Sequence, residues 1–559
     1  MSLFFLILLG IQSVLAEPSA KSPELVQHLN WSFVKLGLVP VQSGGRIKPL
    51  DSFAREVVLF ETGSRRFEGW EPLDMLFSWV SSPHTWEHKP FIRITRDDVR
   101  RQLGLDEKRS LFSPSELMTN STLIQYAERL SGQAPQGAEA PGAPKASPRE
   151  QELKAVLERI RLFQSVVLGE GWLLVPQPAP AAWMSILDQG HESEVIRKHF
   201  LKVLDAYQNN NLDQFDRFTV LLGAAVEGGI PGYSDYLKKQ VSAESLYNRV
   251  RPFLIAWVLY LMAALTWLVR QVMESTRWEK RLTRTALGLT LSGAFAHAAG
   301  FGLRCFVAGR PPVTNMYESM IWVSLGIVFF ALILYKMHRQ PVLLIVATTL
   351  GVLGLVSGDA APAILDPSLN PLVPVLRSNY WLTIHVLTIT LSYAAFALTL
   401  GLANISLFYF LLDSKSQKIA VMNQLTYRAM QFGVVLIAAG TILGGIWADY
   451  SWGRFWGWDP KEVWALITLL CYLTILHGRF AGWVGQFGFA AWSAVSFLSV
   501  MMAWYGVNFI LGVGLHSYGF ASGGTPWVIG FVSAELLYVL AVTGIYFQRR
   551  SRFKSIQAV

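Results

Sequence analysis

The residues with chemistry to offer are four histidines and one tryptophan-rich stretch. His297, His385, His477 and His516 all stand in the strongly apolar second half of the chain. Between the second and third of them runs WADYSWGRFWGWDPKEVW, residues 447–464, which carries Trp447, Trp452, Trp456, Trp458 and Trp464 beside Asp449, Arg454, Asp459, Lys461 and Glu462. Neutral imidazoles bind transition metals, and two of them can hold a haem iron from opposite faces. Indole rings offer broad apolar surfaces against which a porphyrin can lie. Arg454 or Lys461 could then meet its propionates, the arginine in a bidentate pair. The competing reading is an aromatic belt, because Trp is enriched at membrane–water interfaces. A belt scatters its rings over many helix ends, whereas here they are concentrated in one loop.

The elements that must position these residues are membrane helices. The chain has 559 residues, of which 52% are hydrophobic and only 16% charged, with a mean hydropathy of +0.34. A soluble chain carries about a quarter charged residues. Long apolar runs near 252–269, 286–303, 319–335, 341–358, 382–412, 430–447, 463–476, 486–511 and 526–547 predict about nine transmembrane helices. Lys and Arg cluster in alternate connections: Arg270 to Arg284, Lys336 and Arg339, Lys415 to Arg428, Arg479, and Arg549 to Lys554. The positive-inside rule makes those connections cytoplasmic, together with the C-terminus, and turns the tryptophan-rich loop outward. The net charge of +9 is therefore explained by topology and implies no nucleic acid. Cys305 and Cys471 are the only cysteines, which excludes a disulfide framework or a Cys-x-x-Cys pair within the chain.

The first half reads differently. Residues 1–16 form an apolar run ending in small residues, expected to be a secretory signal or an N-terminal anchor. Residues 17–248 read as an extracytoplasmic soluble region, divided by a Pro/Ala/Gly linker at 134–149 that cannot bury a core. An amphipathic helix is predicted directly after the linker. His84 and His88 are four residues apart, but a pair without a third ligand reads as surface.

His385 falls at the outer end of the fifth predicted helix and His516 in the outward connection before the ninth. His477 lies nineteen residues past Trp458, roughly 28 Å along a helix, near the cytoplasmic end of the seventh. His297 is mid-span. Ionisable groups there are functional candidates, although this one could equally bond to a neighbouring helix.

The segments WLTIHVLTITLSYAAF, WGRFWGWDPKEVWALIT, LTILHGRF and YGVNFILGVGLHSYG, in this order along 285–548, resemble the WWD-domain haem-handling proteins. The match is to the CcsA (ResC) family, the membrane subunit of the System II cytochrome c synthase. GRPPVTNMYES, 309–319, resembles the same family. Residues 249–559 are thus expected to be a CcsA-like transmembrane domain of all-α architecture. The resemblance implies that His385 and His516 ligate haem b iron on the outer side and that His477 belongs to an inner haem site. Trp452, Trp456, Trp458, Asp459 and Arg454 would form the haem-binding loop. His297 has no family role and is kept as a further metal candidate. The implied activity is haem delivery to the outer face of the bacterial inner membrane and thioether attachment to the CxxCH motif of apocytochrome c. The implied partners are a CcsB (ResB) subunit, apocytochrome c and a thiol-reductase system. No CcsB-like helices precede residue 250. The alternative is a haem exporter or chaperone without attachment chemistry, as in the CcmC family. CcmF-like proteins also carry a tryptophan-rich domain, but the 309–319 segment and the GVGLHSYG ending favour CcsA.

Overall fold

In the computed structural model the described residues are 25–132, 147–188, 190–232, 234–273, 276–311, 313–361, 365–371, 379–511 and 524–557. The expected signal segment, most of the 134–149 linker and His516 lie outside them. The chain divides into two compact units, one built from 60–177 and 183–229 with the segment ending at Leu36, the other from 37–59, 178–182 and 230–559.

The first unit is mainly helical. Ser147 and Glu150 form a reciprocal capping box at the start of Pro148–Leu168, which is the amphipathic helix predicted from sequence. Its core is aromatic, with Trp79, Trp86, Phe91 and Phe163 in ring contact. A buried polar cluster sits beside this core. Asp74 accepts from the His28 amide at 2.9 Å and from the Tyr207 hydroxyl at 2.6 Å. His84 and His88 lie on a short helix, where His88 Nδ1 meets the Ser115 hydroxyl at 3.2 Å.

The second unit contains nine helices long and apolar enough to cross a bilayer, among the described residues. They are Asp235–Val272, Arg277–Ala308, Met316–His338, Val342–Ala360, Tyr380–Leu412, Gln417–Trp452, Pro460–Phe480, Gln486–Leu511 and Thr525–Ser551, so the chain is an all-α polytopic membrane protein. Each contains one of the nine apolar runs to within a residue. The first is broken at Arg251, whose backbone is left-handed at φ 50°, so its apolar part starts at Pro252. Ahead of these helices, the second unit includes an antiparallel hairpin, β1 (Pro40–Ser43) and β2 (Arg46–Pro49). Its two-residue turn is Gly44–Gly45, both at positive φ, which is what a tight hairpin turn requires.

Two packing features set the geometry of the bundle. One is a small-residue stripe on the sixth span. A Cβ at Gly440 would lie 2.9 Å from Ile389 Cα, and one at Gly444 would lie 2.6 Å from His385 Cε1. This Gly-x-x-x-Gly spacing brings the fifth and sixth spans into backbone contact. The other is a buried ion pair, Arg304 to Glu318 at 2.8 Å, with both side chains 1% exposed. It ties the end of the second span to the start of the third.

Glu61 in the first unit is fully buried, and neither carboxyl oxygen has a hydrogen-bond partner among the described residues. Burial raises its pKa well above the ordinary value of 4.5, against the pull of Arg159. The native state therefore keeps a proton that the unfolded chain releases, and stability is full below the unfolded pKa and falls as pH rises above it. The slope approaches about 1.4 kcal/mol per pH unit in that window. Glu61→Gln is expected to abolish the slope and to stabilise the unit at neutral pH. Hydrogen exchange of the core peptides at several pH values measures this, and an unchanged slope would refute it.

Candidate functional site

The starts of the third, fifth and seventh spans and the ends of the sixth and eighth converge at one end of the bundle. They enclose a cleft with about 1210 Å³ of empty space, part of it open to solvent. His385, Val386, Ile389 and Tyr393 of the fifth span form one wall, and Thr441, Gly444 and Gly445 of the sixth adjoin it. Trp456, Lys461 and Glu462 come from the tryptophan-rich loop and the helix after it, Trp504 and Asn508 from the eighth span, and Arg310 and Asn315 from the approach to the third. Apolar walls with a few polar groups are typical of small-molecule sites.

His385 is held in a fixed pose. Its Nδ1 donates to the Gly440 carbonyl at 2.8 Å, which sets the tautomer and makes Nε2 the basic nitrogen. A carbonyl on the distal nitrogen is the usual support for a metal-binding imidazole. The ring stacks within 7° of the Trp447 indole, with centroids 6.2 Å apart. Trp447 is itself buried and packs edge-on against Trp452 at 4.5 Å.

The tryptophan-rich loop is organised by Glu462. One carboxylate oxygen accepts from the amides of Gly457 at 2.8 Å and Asp459 at 3.2 Å, and the other accepts from Arg454 at 3.1 Å. Asp459 is the N-cap of the seventh span and, with Glu462, completes a capping box. Just before Asp459, Trp458 takes a left-handed backbone at φ 57°, a conformation that costs energy for a bulky residue and persists only where its surroundings impose it.

Of the site residues read from sequence, the structure brings His385 and Trp456 into the cleft wall. Trp452 reaches His385 only through Trp447. Trp458 stands 71% exposed, edge-on to Trp456 at 5.9 Å. Arg454 is engaged with Glu462 and lies over the Trp452 ring. Asp459 caps its helix. His477 is exposed near the opposite end of the seventh span, and its Nδ1 donates to Leu473 O at 2.8 Å. His297 is fully buried, with Nε2 3.1 Å from Ile321 O and Nδ1 3.3 Å from the Tyr260 hydroxyl. Both of its nitrogens thus bridge neighbouring helices, which is the bland alternative weighed from sequence, and ligation through either nitrogen would need the bond at that nitrogen broken. Among the described residues no three His, Cys, Asp or Glu side chains converge on a metal site.

Sequence reading missed Arg310, Tyr393, Trp504 and Asn508 as cleft residues. Asn508 and Trp504 sit in a π-helical segment, Met502–Leu511, a form concentrated at functional sites that no composition rule reveals. Arg310 lies in the GRPPVTNMYES stretch, whose resemblance was noted without a role for the arginine.

The fold is thus a polytopic helical bundle with a cleft at one end whose lining includes two indoles and an oriented histidine. Residues 313–516 match the family described as "Cytochrome C assembly protein". CcsA of Prochlorococcus marinus strain NATL2A is 34% identical over 258 residues, 39% of this chain and 79% of that protein. CcsA of Guillardia theta is 33% identical over 260 residues, 42% of this chain and 84% of that protein. The chain belongs to the CcsA family of cytochrome c biogenesis proteins. It is also 29% identical over 498 residues to the protein NrfI of Wolinella succinogenes, a match covering 85% of this chain. That match necessarily includes much of the region before residue 250, yet the chain spans only 53% of the length of NrfI.

Glu462→Ala removes three acceptor contacts at once. Faster hydrogen exchange and new protease sensitivity confined to 453–459 are expected, with the bundle unaffected. Equal protection in the variant would mean that the loop holds its shape without the carboxylate.

Proposed function

We propose that the cleft binds haem b as substrate and presents it for covalent attachment to an apocytochrome c. The observation that carries this reading is the imidazole of His385, fixed by Gly440 and backed by Trp447, on the wall of a cleft that Trp456 and Trp504 also line. His385 Nε2 would ligate the iron, and His516, by the family resemblance, would supply the second axial ligand. Haem bound this way brings a vinyl edge that thiols of a CxxCH segment can reach. In each thioether bond the sulfur joins one vinyl carbon while the thiol proton ends on the other, so the addition needs no external oxidant or reductant. The protein's contribution is to hold the reacting groups in register.

His477 would serve a second, inner haem shared with a histidine of a CcsB-type partner. Its exposure on the surface of the second unit suits a ligand completed from another chain. The cleft-bearing bundle end would face the outside of the bacterial inner membrane, since Lys336, Arg339, Lys415, Lys418, Arg479 and Arg549 gather in the connections at the other end. A thiol-reductase system would keep the substrate's cysteines reduced.

Full-length protein purified with its partner is expected to carry low-spin bis-histidine haem. His385→Ala should abolish the covalent haem signal of cytochromes c, and added imidazole should restore part of it by filling the vacated coordination position. Gly444→Val, which forces a side chain against the His385 ring, should weaken haem binding at least about tenfold. Normal cytochrome c maturation in His385→Ala would overturn the proposal. Haem binding with no attachment in a reconstituted system would favour the exporter reading.

A further inference from the structure

The cations lining the cleft, Arg310 and Lys461, outnumber its one carboxylate, Glu462, among the described residues, and Arg310 carries part of that excess. Glu462 is committed to Arg454 and to two loop amides. Arg310 is only 8% exposed, and the carboxylate it approaches is Glu318 at 3.9 Å. That carboxylate already accepts from Arg304 at 2.8 Å and from the amide and hydroxyl of Thr314 at 2.9 and 3.0 Å. Two buried guanidinium groups therefore share one carboxylate. Burying a charge is costly unless it is paired, so the cluster calls for one further anion. Arg310 uses two of a guanidinium's five N–H donors on protein carbonyls, Pro311 O at 3.4 Å and Asn370 O at 2.7 Å.

The carbonyls around Asn370 lead to a second part of the chain. The short loop 366–370 is gripped from several sides. Asn315 donates to Asp366 O at 3.2 Å and Arg304 to Pro367 O at 2.9 Å, while Arg46 of β2 donates to Leu369 O at 2.7 Å. Arg46 is locked in turn by a bidentate pair with Glu244, at 2.7 Å for both bonds. The hairpin turn abuts the same loop: a Cβ on Gly45 would lie 3.5 Å from Pro371 Cγ. The hairpin and the cleft arginine thus hold consecutive carbonyls of one loop.

We propose that Arg310 receives a carboxylate of the porphyrin edge, and that the amino-terminal hairpin is a positioning element for it, acting through Arg46 and the 366–370 loop. This rests on the reading of the cleft as a haem site. It gives part of the region before the first span a role in substrate binding, and it assigns to Arg310 a propionate role that the sequence reading offered to Arg454 or Lys461.

The test compares haem with haem dimethyl ester, whose carboxylates are masked, as ligands of the full-length protein in detergent. Arg310→Gln should weaken haem binding at least about tenfold and leave ester binding unchanged, with the His385-dependent absorption spectrum intact in the bound fraction. Arg310→Lys should recover part of the difference. Arg46→Gln should reproduce the selective loss in weaker form, and Arg46→Lys should lessen it. Haem binding retained in Arg310→Gln, or equal loss of haem and ester, would overturn the assignment of Arg310. An unchanged haem-to-ester ratio in Arg46→Gln would overturn the role of the hairpin. If the wild-type protein bound neither ligand, or bound both without the His385-dependent spectrum, the cleft reading itself would fail.

Discussion

The geometry of the second unit depends on a single requirement: a guanidinium and a carboxylate inside a membrane bundle must find each other. Arg304 and Glu318 sit 14 residues apart in sequence, on successive spans, and are almost fully enclosed. Removing either partner would strand a buried charge, a change that typically costs about 3–5 kcal/mol. The pair therefore fixes where the second span ends and the third begins. Neighbouring groups extend the pair. Glu318 also accepts from Thr314, and Asn315 caps the third span through the Glu318 amide at 2.8 Å. Arg304 reaches across to Pro367 O. The polar end of the bundle is thus one connected network, and the cleft opens beside it.

On the other wall the organising element is the absence of side chains. Gly440 and Gly444 let the fifth span approach so closely that a backbone carbonyl of the sixth reaches the His385 ring. An imidazole in this position has its tautomer chosen by a main-chain group, which cannot rotate away or change protonation. A pre-formed pose of this kind reduces the entropy lost when a ligand is captured.

Much of this architecture was legible from residue order alone. The nine spans follow from apolar runs, most of them too long for a core helix, and each run lies, to within a residue, inside one of the observed candidate spans. The prominence of His385 follows from its motif. What escaped detection shares a physical cause: it depends on side-chain contacts, near or far along the chain, that residue order does not reveal. Arg310 is marked as a cleft residue only by its neighbours, Asn370 and Glu318. Arg454 looks like a ligand for an anion until Glu462, eight residues on, is seen to hold it. That Ile321 and Tyr260 meet the two nitrogens of His297 is likewise seen only in the fold. The hairpin at 40–49 gives no sign in its own sequence that it packs with the membrane helices. The boundary placed near residue 248 follows the change in hydropathy, whereas contacts place 37–59 in the second unit.

The same accounting bears on the chemistry proposed for the cleft. The acidic residues of the tryptophan-rich loop that adjoin it, Asp459 and Glu462, are spent on capping a helix and on shaping the loop, so neither is placed as a general acid or base. For thiol addition to a vinyl group that is no deficiency, because the proton leaving sulfur is the one carbon needs. Such a reaction asks for a flat ligand held in one register, an iron whose axial position is set by a fixed imidazole, and a fixed counter-charge that distinguishes the carboxylate edge from the vinyl edge. A rigid loop bearing Trp456, an imidazole locked to a carbonyl, and an arginine anchored through the 366–370 loop are the elements that would meet those three demands. The rigidity bought by internal hydrogen bonds, rather than any reactive side chain, is what the proposed function would draw on.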